Sequence, residues 1–189
     1  MVIVVMGVAG SGKTVVGEAL ARRLEWTFVD ADNFHSASNV EKMRSGVPLT
    51  DQDREPWLRA LNSAIRKWIA DSCNTVLACS ALREWHRNAL REGVIDAKAI
   101  PFVYLKGTYA QIEPRISLRA GHFMPESLLR SQFATLEEPD SSEALVVEID
   151  HSVEAITGSI IRGLGFSANQ MGAPKTGSHS KRKESESKS

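Results

Sequence analysis

Residues 2–5 form an unbroken β-branched apolar run, the pattern of a strand buried on both faces. After a glycine-rich stretch, Val15, Ala19, Leu20 and Leu24 recur at helical spacing and predict a helix over 14–24. A second short strand follows at 27–29, and residues 30–50 are polar and irregular apart from a short helix at 40–44. Thr50 with Asp53 three residues on has the form of a capping box. The helix it opens would bury Trp57, Leu58, Leu61, Ile65, Trp68 and Ile69 along one stripe. Further strands are predicted at 75–78, 102–105 and 145–149, with helices at 82–91, 110–119, 125–135 and 153–164. Short apolar strands alternating with longer helices mean βαβ units and a parallel sheet. There is no internal repeat.

The pattern fades after Phe166, where Ser, Lys, Gly and Glu dominate and large apolar residues almost vanish. Residues 1–166 therefore read as one α/β domain and residues 167–189 as a disordered polar tail, since such a composition cannot offset its ordering entropy by burial. Lys plus Arg equals Asp plus Glu, 23 each, so overall charge points to neither nucleic acid nor an anionic membrane. The run at 2–6 lacks a basic leader and is too short for a signal or a span. With Cys73 and Cys79 the only cysteines, a cytoplasmic chain with reduced thiols is the simplest expectation.

Gly7 to Thr14 reads GVAGSGKT, which fits G-x-x-x-x-G-K-[ST]. The pattern carries weight because it follows a buried strand and runs straight into a helix. Gly7, Gly10 and Gly12 allow backbone conformations that turn successive N–H groups inward, and Val8, Ala9 and Ser11 contribute their amides to the same cradle. The helix start adds its positive dipole end. Lys13 can reach the β- and γ-phosphates of ATP, and the Thr14 hydroxyl can bind Mg²⁺. One small domain without an N-K-x-D motif favours a small-molecule kinase over a GTPase or a larger ATPase.

Asp30 and Asp32 follow the second strand, at the carboxyl edge where parallel sheets hold ligands. On an extended chain, positions i and i+2 project to the same side. One carboxylate can order the water shell of Mg²⁺ and the other accept the proton of an attacking hydroxyl. Asp32 is read as the base and Asp30 as the outer metal ligand. The third strand ends Ala78-Cys79-Ser80, so no Asp stands where many P-loop proteins direct Mg²⁺, which shifts that role towards Asp30. Arg115 and Arg119, spaced i,i+4, supply cations for transition-state charge from a mobile lid over 115–124, with Gly121 as hinge.

The stretches DADNFH, NVEKMRSGVPLTDQDREPWL, ACSALR and RAGHFMPESLLRSQFATLEEP occur in order after the P-loop. Together these segments resemble the gluconokinase family over roughly residues 1–165. The resemblance implies a P-loop NTPase fold of nucleoside-monophosphate-kinase type, with a five-stranded parallel sheet, flanking helices and a mobile lid. It implies transfer of the γ-phosphoryl of ATP to D-gluconate, often by a homodimer. It also implies that Asp32, His35, Arg54, Arg83 and His122 surround the sugar acid. A gluconate carboxylate needs a cation such as Arg54 or Arg83, and its hydroxyls need mixed donors and acceptors such as His35, His122 and Gln132. The competing readings are a kinase of shikimate, a nucleoside monophosphate or another sugar acid, and a nucleotide-binding regulator without catalysis. Adenine contacts are expected from backbone near residues 150–155.

Overall fold

The computed structural model describes residues 1–117 and 126–166. The expected lid residues Arg119, Gly121 and His122, and the polar tail at 167–189, lie outside the described residues.

Five parallel strands, β1 (Val2–Met6), β2 (Thr27–Asp30), β3 (Thr75–Ala78), β4 (Phe102–Lys106) and β5 (Leu145–Glu148), lie in the order β2-β3-β1-β4-β5. All four pairings are parallel, so each crossover must be bridged by helix. The helices are α1 (Lys13–Leu24), α2 (Ala37–Arg44), α3 (Asp51–Ala70), α4 (Glu84–Arg91), α5 (Tyr109–Ser117), α6 (Glu126–Thr135) and α7 (Val153–Gly163). Two short 3-10 turns, Ala31–Phe34 and Ala97–Ala99, complete the described elements.

Central β1 shows why its sequence carries no polar residue. Val2, Val4 and Met6 face one core with Trp57, Leu58, Leu61 and Ile65 of α3. Ile3 and Val5 face the other, with Val16 and Leu20 of α1 and Ile156 and Ile160 of α7. Period-two alternation is present, but both faces are dry, so it leaves no hydropathy signal.

α3 follows the expected stripe closely. Thr50 and Asp53 close a capping box, with Thr50 Oγ1 accepting from the Asp53 N–H at 3.2 Å and Asp53 Oδ2 accepting from the Thr50 N–H at 2.9 Å. A bond from Lys42 on α2, reinforced by Thr50, holds the Asp53 carboxyl at about 2. This docks α2 against the start of α3.

Candidate active site

Local backbone geometry builds the phosphate loop. Gly10 and Gly12 have φ of 78° and 95°, where L side chains are rarely tolerated. A Cβ on Gly10 would also lie 2.7 Å from Ile116 and 2.9 Å from Ile112, so α5 packs directly on the loop. Lys13 Nζ donates to the Val8 carbonyl at 2.9 Å, holding the ammonium across the loop.

Asp30 and Asp32 are joined differently from the sequence expectation. The chain is not extended here, because it enters the 3-10 turn at Ala31. Asp30 caps that turn, its Oδ1 accepting from the Asp32 N–H at 3.0 Å. Its other oxygen accepts from the Thr14 hydroxyl at 3.2 Å. One carboxylate thus ties the end of the phosphate loop to the backbone of Asp32.

Asp32 remains open to solvent over 80% of its side chain. Desolvation by the surrounding cleft, with Asp30's charge, nevertheless raises its carboxyl above the ordinary aspartate range, while Lys13 and His35 oppose the rise. The cause is the mass of protein around the cleft rather than covering contact. Its neighbour His35 lies 3.9 Å from Asp32 Oδ1. The His35 ring is stacked on Trp57 at 4.4 Å and 12°, and burial lowers its pKa. Trp57 also donates its indole N–H to the Ala31 carbonyl at 2.8 Å, so one α3 side chain fixes both ends of the turn that carries Asp32.

Arg54 and Arg83 converge from different elements. Asp51 bridges them, with Oδ1 accepting from Arg54 at 3.2 Å and Oδ2 from Arg83 at 2.9 Å. His86 lies against this group. Its Nδ1 accepts from the Arg83 N–H at 3.3 Å, and burial, together with the positive Arg54, Arg83 and Arg87, lowers its pKa to about 4. Asp32, His35, Arg54, Asp51, Arg83 and His86 therefore form a continuous polar row, each in contact with or in the field of the next. Asp51 and His86 were not singled out from sequence. Their i,i+3 spacing from Arg54 and Arg83 was the available signal.

Gln132, expected beside the sugar acid, instead accepts from the Ala9 N–H at 2.7 Å and so sits on the phosphate loop. Gln132→Glu would place an anion against the bound phosphates. ATP affinity, titrated calorimetrically without acceptor, is expected to fall about tenfold or more.

Arg115 is held by the carbonyl of Ile149 at 2.9 Å. With Gly10, Gly12, Val15 and His151 it lines a cleft of about 220 Å³ between the phosphate loop and the start of α7. The cleft lies beside the 150–155 backbone from which adenine contacts were expected.

Oxygen donors at Thr14 and Asp30 suit a hard cation such as Mg²⁺. Among the described residues no cluster of three His, Cys, Asp or Glu side chains could hold a metal, so a cation here would rely on phosphate and water for its remaining ligands. Cys79 occupies the end of β3, where burial pushes its thiol up to about 12. Cys73 is exposed, and the two are unpaired.

An AAA-domain family profile matches residues 2–139. The thermoresistant gluconokinase of Escherichia coli is 43% identical over 162 residues, covering 85% of this chain and 91% of that protein. A solved gluconokinase from Sinorhizobium meliloti is 40% identical, with a TM-score of 0.76 over 86% of this chain and 90% of its own. Shikimate kinase from Aquifex aeolicus superposes at a TM-score of 0.54 with 18% identity over 87% of this chain and 96% of its own, a likeness of fold alone. Agreement in sequence over most of the length, together with the phosphate loop and its paired aspartates, shows that this chain belongs to the gluconokinase family.

Proposed function

We propose that this protein transfers the γ-phosphoryl group of ATP to the 6-hydroxyl of D-gluconate, giving 6-phospho-D-gluconate. The observation that carries the reading is the Asp30 link, which joins Thr14 on the phosphate loop to Asp32 at the head of the polar row. A donor site and an acceptor site are thereby held in fixed relation.

In this reading the amides of residues 7–14 and Lys13 hold the phosphates, and the adenine lies in the cleft by Arg115 and His151. Thr14 ligates Mg²⁺ and Asp30 orders its water shell. The metal would supply charge that offsets the anionic phosphates. Asp32 orients the 6-hydroxyl and receives its proton as oxygen bonds to phosphorus and the bond to the bridging oxygen of ADP breaks. His35 donates or accepts along the polyol, and Arg54 and Arg83 take the carboxylate. Arg115, with Arg119 and His122 from outside the described residues, completes the site on closure. Gln132 holds the loop through its Oε1. A cytoplasmic homodimer belongs to the same proposal, supported by family membership; among the described residues no helix is long and apolar enough to cross a membrane.

The test is ATP-dependent ADP release with Mg²⁺ across gluconate, other sugar acids, shikimate and nucleoside monophosphates. Turnover with gluconate alone is the expected result. Turnover only with another acceptor would replace the substrate, and tight ATP binding without any turnover would favour a regulator.

A further inference from the structure

Arg54 and Arg83 stand side by side although they come from the first turns of α3 and from the cap of α4. Two guanidiniums so placed repel, and Arg83 disfavours the charge of Arg54. Asp51 gives one carboxylate oxygen to each.

We propose that Asp51 is a positioning residue that holds Arg54 and Arg83 together as a single seat for the carboxylate of a monoanionic sugar acid. The inference rests on the kinase reading above. Formal charge supports it: two cations and one anion leave the cluster at +1, because buried His86 stays neutral well below neutral pH. A monocarboxylate cancels that charge. Donor capacity supports it too, since a guanidinium carries five N–H groups and one bond to Asp51 leaves others for a second carboxylate. Exposure is intermediate for the arginines, with 25% of the Arg54 side chain and 32% of Arg83 open, while Asp51 is exposed. The seat is therefore accessible to a ligand, yet less screened than a surface pair. Its place in the row also matters. Asp32 heads the row and the arginines follow beyond His35, which suits a linear molecule with a hydroxyl at one terminus and a carboxylate at the other. Without Asp51 the arginines lose the anion that both of them bond, and a substrate must organise them itself on binding.

The test compares the full-length wild type with Asp51→Asn and Asp51→Glu at saturating ATP. Two acceptors are used: D-gluconate, and D-glucitol, the same chain with a hydroxymethyl in place of the carboxylate, read as substrate or as competitive inhibitor. Wild-type turnover of gluconate is measured first. Its absence would remove the underlying reading, independently of the variants. For Asp51→Asn, the gluconate KM is expected to rise about tenfold or more, with kcat within about threefold. The KM for ATP stays unchanged, and the preference for gluconate over glucitol falls by the same factor as the gluconate KM rises. Asp51→Glu recovers part of the loss. Equal weakening of both acceptors would mean general damage and overturn the proposal. A lower gluconate KM would overturn it as well, by showing that Asp51 competes with the substrate.

Discussion

Asp32→Asn is expected to lower kcat about 10²- to 10⁴-fold, the usual contribution of a positioned base, while leaving the fold as stable or more so. The two halves of this expectation come from one environment. Desolvation and the neighbouring Asp30 hold the Asp32 carboxyl above its ordinary range. A carboxyl so raised binds its proton more firmly in the folded chain than in the unfolded one. Its contribution to stability is full at low pH and is lost as pH rises through the ordinary and then the raised value. At neutral pH the ionised Asp30–Asp32 pair therefore opposes folding, and asparagine removes that opposition without removing the backbone bond from residue 32 to Asp30. Calorimetric Tm at neutral pH is expected to be unchanged or higher. The acid limb of kcat/KM for gluconate should lie above the ordinary aspartate range and be missing from the residual activity of the variant. A loss of activity below tenfold would deny Asp32 the role of base.

Arg87→Met is expected to lower stability by about 3 kcal/mol, the lower end of the range for breaking a buried pair. Arg87 is 1% exposed. Its guanidinium grips Glu143 with two bonds, at 2.6 and 2.9 Å, and donates to the Glu137 carbonyl at 3.0 Å. It thus ties α4 to the segment between α6 and β5. Removing it strands the Glu143 carboxylate, which is only 21% exposed, although Arg91 at 3.7 Å offsets part of the loss. For a chain of this size the loss corresponds to a Tm lower by about 6–12 °C. The double variant Arg87→Met/Glu143→Met should recover much of it, since the isolated charge rather than the missing bond carries most of the cost. A Tm within about 2 °C of wild type in the single variant would show that Glu143 finds water or Arg91 at little cost.

Elements were legible wherever one segment carried its own signal. The capping box at Thr50 and the buried stripe of Trp57, Leu58, Leu61 and Ile65 follow from helical periodicity alone. The phosphate loop was legible for the same reason, because its glycines, lysine and threonine act within eight consecutive residues. Where the expectation failed, a local rule met a change of local structure. Asp30 and Asp32 were read on an extended chain, but the 3-10 turn at Ala31 places one as the cap of the other.

Composition and spacing by themselves determined the α/β class, the nucleotide loop and the candidate acids and cations, since these depend on backbone geometry and side-chain chemistry over a few residues. The fold alone decided the strand order β2-β3-β1-β4-β5 and the distant partnerships it creates. Gln132 reaches Ala9 across 123 positions, Arg83 reaches Asp51 across 32, and Arg87 reaches Glu143 across 56. No periodicity encodes such pairs. They arise because the crossovers fold remote helices and loops back over the same sheet, and at the carboxyl ends of β1, β2 and β3 this brings the phosphate loop and Asp30 together.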